Sequence, residues 1–525
     1  MLDLALLRAE PARLKAALAR RGVAAEAVDA VVALDGHRSA RLEGREALRH
    51  RRRRISEEVA LAKREARDTA DLEREARRTG DELAAIEAEV ARLEARRDAA
   101  LLALPNLPMT DVPDQSLAAA AYGRDYCRPS PYAATAKRET PDEPPELLAA
   151  PGTAANVSAA PPWPNSFAPL AHGDLLALLG LVHTLGRPPG RGFIVWRGRG
   201  ARLVRALVGL MLDVHTREFG YEEVRVPALA TREALTGSAH LPTLEDKMYA
   251  IEPAGSPSEP AARLSEPAAG LSEPAAVLSE PAAVLSEPAA RLSEPAAGLS
   301  EPAAEAAGDL VQSPTPPRAS LFLAPRAEPH LANLYADRTL AGAQLPERFV
   351  AAGRAFRREA GAGGTQGRGL LRLHEFDTVE LYTFCRPDQD AEELDRAVRA
   401  AETVLERLEV PHRRSLRAAR DLSHAAAKTW DLEVGAPGMK EWLSVAALST
   451  FADYQARRTN TRYFEPGPIA RPRLVHTIGG AAVALPRLIA AILENHQQAD
   501  GSVRLPAALA PYLGGERALA VLAKP

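Results

Sequence analysis

The stretch RFVAAGRAFRREAGAGGTQGRGLLRLHEFDTVELYTF, residues 348–384, holds the chain's densest set of chemically useful side chains. It reads as a strand, a glycine-rich loop and a second strand. The first strand ends in Arg357-Arg358-Glu359, and the second carries Arg372, Phe376 and Glu380 at spacings of four. Alternation with period two puts those three on one face of a strand. A guanidinium grips phosphate bidentately, an aromatic ring stacks on a base, and a carboxylate holds an ammonium. The set suits a site that takes a nucleotide and an amine together. A half-polar strand facing solvent has the same alternation, and spacing alone does not separate the two.

Such a face needs a sheet behind it. From 167 to 515 helical stretches (Ala201–Phe219, Ala391–Leu408, Arg487–Asn495) alternate with short strand-like runs. These runs are Phe193–Trp196, Glu223–Val226, Leu321–Leu323, Arg348–Ala351, Leu370–Val379, Leu432–Val434 and Leu474–Thr477. Strands outnumber crossover helices, so an α+β fold with a mainly antiparallel sheet and flanking helices is expected rather than a doubly wound parallel one. No GxxxxGK[ST] or GxGxxG opens a helix after a strand, which excludes the usual nucleotide loops.

The first hundred residues have a different period. From Leu72, a 4-3 spacing runs through Ala76, Thr79, Leu83, Ile86, Val90, Leu93, Arg97, Ala100 and Leu104. Leu48, Ile55 and Ala62 repeat every seven residues before it. With a polar ARDTAD turn at 66–71, this predicts an antiparallel two-helix coiled-coil arm, closed by Pro105 and Pro108. Between Arg38 and Arg67 there are eleven Arg or Lys and five Glu, a net of +6. Arg49, Arg51, Arg52, Arg53 and Arg54 form its densest run. It fits phosphate contacts, and equally a solvated coiled-coil face.

Residues 110–166 lack periodicity and are rich in Pro, Ala, Ser and Thr, as a low-complexity linker is. Over 256–304 Ser-Glu-Pro recurs with period seven. A proline in every repeat defeats a helix, so a disordered surface insertion is expected. Domains are therefore expected over 1–109 (arm), 167–515 (body) and 516–525 (tail).

Composition narrows the class. The net charge of -3 neither suggests nor excludes nucleic acid, since local charge decides that. Two distant cysteines, Cys127 and Cys385, give neither a disulfide framework nor a zinc knuckle. No apolar run reaches membrane-spanning length. The N-terminus reads as an amphipathic helix, and a cytoplasmic location is expected, with a mitochondrial or plastid transit peptide as the alternative.

The 348–384 block resembles motif 2 of class II aminoacyl-tRNA synthetases, and other landmarks follow in the order of the seryl-tRNA synthetase family. FGYEEVRVPALA, with Pro227, is similar to the motif 1 strand of the dimer interface. TGSAHLPTLEDKMYAI, LFLAPRAEPHLANLY, AAKTWDLEV and FADYQARRTNTRY come next. VHTIGGAAVALPRLIAAILENHQQADGSVRLPAALAPYLGG carries the motif 3 arginine, Arg487. The hairpin ending in LPNLP resembles the family's tRNA-reaching arm. The resemblance covers about residues 1–109 and 167–515.

It implies that Arg357 and Glu359 hold the ATP phosphates and adenine edge. It further implies that Phe376 stacks on adenine with Arg487 on its other side, and that Arg372 lies near the phosphates. Glu328 and Glu380 would embrace the ammonium and hydroxyl of the amino acid. The implied reaction is attack of serine on ATP to give seryl-adenylate, then transfer to tRNA(Ser), by a homodimer aided by Mg²⁺, without membrane or DNA. Arg357 and Arg487 are its implied catalytic groups, Glu359 a possible metal ligand, and Arg49–Arg54 the tRNA contacts.

The chain departs from the family in one direction. Arg326 stands where the family has threonine. Ser444 stands for a metal-binding glutamate, Ala447 for a serine and Thr450 for an asparagine, while Gly479 and Ala481 replace polar residues. These changes strip the amino-acid and metal side and spare the adenine side. Two other functions stay open on this ground: a non-catalytic paralogue that binds tRNA or partner proteins, and a ligase for a different small amino acid.

Overall fold

A computed structural model describes residues 1–65, 67–115, 117–118, 161, 163, 165–183, 192–251, 321–359, 369–465 and 471–522. The repeat expected over 256–304 lies outside the described residues, and so does most of the linker expected over 110–166.

Two long helices, α1 (Ala25–Arg64) and α2 (Ala70–Ala103), pack antiparallel. At 1.5 Å per residue α1 is about 60 Å long. The 4-3 spacing sets the contact: Ile55 and Ala62 of α1 and Thr79, Leu83 and Val90 of α2 are buried. At the base, Arg97 on the same stripe meets a buried carboxylate. Arg8 donates to Asp35 at 2.6 and 2.9 Å, and Arg97 Nη1 lies 3.5 Å from it. Hydrogen bonding from Arg8 holds the Asp35 carboxyl below its usual range, although burial opposes this. Stability from this group is therefore present above the ordinary carboxylate value of about 4 and is lost as pH falls through the lower folded value. Asp35→Asn is expected to cost about 1–3 kcal/mol at neutral pH. In thermal melts the gap to the parent protein should narrow as pH falls below the ordinary carboxylate range. Equal melting temperatures at pH 7 would exclude a role for the cluster.

The arm is rooted in the body. Asn106, in LPNLP, donates to the carbonyls of Ala425 and Phe451 at 2.9 and 2.8 Å. Arg21 donates to the carbonyls of Asn106, Leu422 and Ser423. Leu7, Leu14, Leu18, Leu101 and Leu104 share a core with Phe349, Tyr382 and Phe384.

Alongside four smaller sheets of two or three strands among the described residues, the body is built on an eight-stranded sheet. In chain order its strands are β1 (Leu117–Ala118), β2 (Glu222–Glu223), β3 (Glu347–Phe356), β4 (Glu375–Cys385), β5 (His412–Leu416), β6 (Lys428–Ala436), β7 (Glu441–Ala452) and β8 (His476–Ala484). Their spatial order is β1-β5-β6-β7-β8-β4-β3-β2. Every pairing is antiparallel except β2 with β3. Helices α3 (Arg199–Phe219), α4 (Asp390–Arg407) and α5 (Leu485–His496) contribute to an aliphatic core with Val379, Leu381, Leu448 and Ile478 on one face. Past residue 515, Ala518–Leu519 still pairs with Val503–Arg504.

Three strand expectations need correction. The second strand of the 348–384 block begins at Glu375 rather than Leu370 and runs to Cys385. Gly369 has φ +72 and a Cβ there would lie 2.4 Å from His172 Nε2, so the chain turns here and cannot pair. Leu474–Thr477 divides between Pro472–Leu474 and β8. The twelve-residue β7 has no counterpart among the expected strands, because its alanines carry little β-propensity.

Candidate active site

A cavity of about 680 Å³ opens on the sheet face opposite the three helices. It gathers residues from four strands and the start of α5. Alternation along β4 sends Phe376, Thr378 and Glu380 to it, and β8 contributes Ala481 and Ala484. Arg372 lines the same cavity from the irregular segment before β4, so it is not on the strand face with Phe376 and Glu380.

One end is cationic. The Arg357 guanidinium lies 5.7 Å from the Phe376 ring centroid. Burial, then repulsion from Arg326, brings its pKa down to about 10. Arg487 sits in the first turn of α5 and donates to the Ser444 carbonyl at 2.7 Å; burial lowers its pKa, with Glu359 opposing. Neither arginine has a carboxylate within salt-bridge distance among the described residues. Two half-buried guanidiniums beside an aromatic face make a site for an anion attached to a flat ring. Glu359 is held by Arg372 Nε at 2.7 Å. The backbone is pinned by His374. Its carbonyl accepts from Arg357 N at 2.8 Å, its Nδ1 lies 2.7 Å from Tyr249 Oη, and Phe193 stacks on its ring at 5.0 Å.

The other end is acidic and internally paired. Glu328 and Glu380 are both buried. Glu380 accepts from the Glu328 amide at 2.9 Å, and Gln455 donates to Glu328 at 2.9 Å. Arg326 reaches both carboxylates, 3.1 Å from Glu328 and 3.7 Å from Glu380. Burial works against its charge, but the two carboxylates outweigh it and its pKa is raised. Burial raises that of Glu380, with Arg326 opposing. Two carboxylates and one guanidinium leave one net negative charge, which suits one incoming ammonium.

The departures from the family pattern fall in different places. Ser444, Ala447 and Ala481 line the cavity. Thr450 does not: its hydroxyl donates to Asp390 at the start of α4. Gly479 is covered, since a Cβ there would lie 2.7 Å from the Tyr382 ring. Gly480, at φ +146, is required because a Cβ would meet the Ala447 carbonyl at 1.9 Å. Thr378 and Gln455 were not singled out in the sequence. Thr378 was legible from the same alternation that picked Phe376 and Glu380. Gln455 had no signal beyond lying in FADYQARR.

Magnesium needs hard oxygen ligands. Among the described residues no three His, Cys, Asp or Glu side chains converge as a metal-holding group. Ser444 brings a hydroxyl, its carbonyl is taken by Arg487, and Glu359 is taken by Arg372. The residues do not fit a protein-held Mg²⁺.

On the arm, Arg49 pairs with Glu87 and Glu46, and Arg51 with Glu75. Arg52, Arg53 and Arg54 are exposed and make no ion pair among the described residues. No helix among the described residues is long and apolar enough to cross a membrane.

Two family models match the chain: the seryl-tRNA synthetase N-terminal domain over residues 1–108 and the tRNA synthetase class II core domain (G, H, P, S and T) over residues 313–496. A serine--tRNA ligase of Gemmatimonas aurantiaca is 37% identical, the match covering 98% of this chain and 99% of that one. One of Acidithiobacillus ferrooxidans is 35% identical with the same coverage. Among solved structures, seryl-tRNA synthetase from Pyrococcus horikoshii complexed with ATP superposes with a TM-score of 0.73 at 26% identity, covering 100% of both chains.

Proposed function

The chain belongs to the seryl-tRNA synthetase family of class II, and from that premise we propose that it is a serine--tRNA ligase. It activates serine with ATP to seryl-adenylate and transfers the seryl group to tRNA(Ser). The observation that carries the site assignment is the pair Arg357 and Arg487. Both are half-buried in one cavity beside Phe376 without a carboxylate partner among the described residues, next to a carboxylate pair that carries one net negative charge with Arg326.

In this arrangement Phe376 stacks on one side of adenine and Arg487 covers the other, while Arg357 takes the triphosphate, with Arg372 at the edge. The substrate ammonium meets Glu328 and Glu380, displacing part of the Arg326 contact. The amino-acid carboxylate attacks the α-phosphate and pyrophosphate leaves. A 3′-terminal ribose hydroxyl of the tRNA then attacks the acyl carbon, and AMP leaves. Catalysis rests on positioning and on charge already oriented toward the phosphate. Any Mg²⁺ enters with the nucleotide as part of the substrate. The test is serine-dependent ATP–pyrophosphate exchange, followed by charging of tRNA(Ser). A folded protein that binds ATP yet supports no exchange with any amino acid would sink the proposal.

The arm brings tRNA to this site through Arg52, Arg53 and Arg54, with Arg49 and Arg51 partly engaged by glutamates. Replacing Arg52, Arg53 and Arg54 by alanine is expected to flatten the plot of log affinity against log salt by roughly 2–3 units, at 0.7–0.9 per lost phosphate contact. Pyrophosphate exchange should not change. An unchanged slope would exclude these residues from the contact. The protein works as a homodimer in the cytoplasm; a monomer mass by light scattering would overturn the first of these.

A further inference from the structure

The wall beside the ammonium site is built from methyl groups. Glu380 on β4 lies directly opposite Ala481 on β8, which lies directly opposite Ala447 on β7. All three line the cavity, and Ala484 extends the same surface. Directly opposed residues have Cβ atoms about 5 Å apart, so an α-amino acid whose ammonium meets Glu380 lays its side chain against Ala481 and Ala447. Neither methyl donates or accepts a hydrogen bond.

Two side-chain hydroxyls among the described residues belong to lining residues, and neither serves this place. Thr378 Oγ1 is buried beneath the surface without a partner. Ser444 lies three residues along β7 from Ala447, about 10 Å in an extended strand, at the end where its carbonyl takes Arg487. Arg326 turns toward the carboxylates, with Nη1 donating to Glu328 at 3.1 Å and Nε 3.7 Å from Glu380.

We propose that this amino-acid subsite takes small, uncharged α-amino acids as a class, accepting alanine and glycine alongside serine, because among the described lining residues no hydroxyl or amide side chain is left to read the side-chain hydroxyl once the Glu380 carboxylate has taken the ammonium. The inference rests on the site being the amino-acid-activating centre proposed above. A site built to bond a hydroxyl rejects the analogue lacking it by about 10⁴–10⁵, whereas an apolar wall separates such a pair by only about 10².

The measurement is kcat/KM for ATP–pyrophosphate exchange with serine, alanine and glycine on the full-length protein. The expected serine-to-alanine ratio is below about 100, and Ala481→Ser should raise it by about tenfold or more by adding a hydroxyl partner. A ratio of about 10⁴ or more in the unaltered protein would overturn the inference while leaving the ligase function intact. No exchange with any of the three, from a protein whose melting temperature still rises with ATP, would remove the inference together with the function it rests on.

Discussion

Arg357→Ala lowers amino-acid-dependent pyrophosphate exchange by about a thousandfold, the scale seen when a preorganised charge facing a reacting phosphoryl group is removed. The same change does not destabilise the fold. The guanidinium is desolvated and faces Arg326 with no carboxylate of its own, which is why its pKa falls to about 10. Its charge therefore opposes folding at every pH below that value, including the whole physiological range. An alanine relieves that cost, so the melting temperature of the variant should equal or exceed that of the parent protein. ATP should raise the melting temperature of the parent by more than that of the variant, because the triphosphate supplies the missing counter-charge. Arg357→Lys, which keeps a charge but loses the planar fork, should recover part of the rate. A variant that melts lower and keeps its exchange rate would show that Arg357 is a structural residue and that phosphate binding lies elsewhere. This combination of a gain in stability with a loss of rate is expected where a site stores unpaired charge for a ligand.

How far the sequence foretold this arrangement depends on which physical rule each residue obeyed. The arm was legible because a coiled coil is a local pattern: along the stripe from Leu72 to Leu104 the structure buries Thr79, Leu83, Val90 and Leu104 and half-buries the rest, including Arg97, whose place in an apolar seam is explained by Asp35 on the other helix. Phe376 and Glu380 were legible as a pair because alternation along one strand needs no knowledge of neighbours. Arg372 shares their cavity for another reason, since a turn at Gly369 and not strand alternation carries it there. β7 escaped because its eligibility as a strand comes from pairing with β6 and β8, not from its own residues. The tie between Arg326 and the two carboxylates has no local signal in the sequence. The structure shows pairing, a contact across 54 residues that spacing does not encode. The same holds for Thr450, whose direction is set by Asp390 in the helical layer.

That pairing makes Glu380 the other position of large effect. Glu380→Gln is isosteric but removes the single excess negative charge, leaving Glu328 and Arg326 as a neutral pair. The incoming ammonium then has no uncompensated partner, and removing one member of a buried charged set costs about 2–5 kcal/mol. At 1.4 kcal/mol per tenfold, the amino-acid KM should rise by about 30- to 4,000-fold. The KM for ATP should change little, because the nucleotide end is formed by Arg357, Phe376 and Arg487. The pH profile carries a second signature. Burial raises the pKa of Glu380, so its proton is taken up as pH falls through a value above the ordinary carboxylate range. Amino-acid binding by the parent enzyme should therefore weaken on acidification before a solvent-exposed glutamate would titrate, and the Gln variant should lose that acid limb. A Gln variant with an unaltered amino-acid KM would mean that Arg326 has taken Glu380 out of substrate binding. Arg326→Ala decides between these possibilities. If the ammonium competes with the guanidinium for the carboxylates, this variant binds amino acid more tightly than the parent. If Arg326 instead holds Glu328 and Glu380 in place, it binds more weakly, by an amount that Arg326→Lys should partly restore.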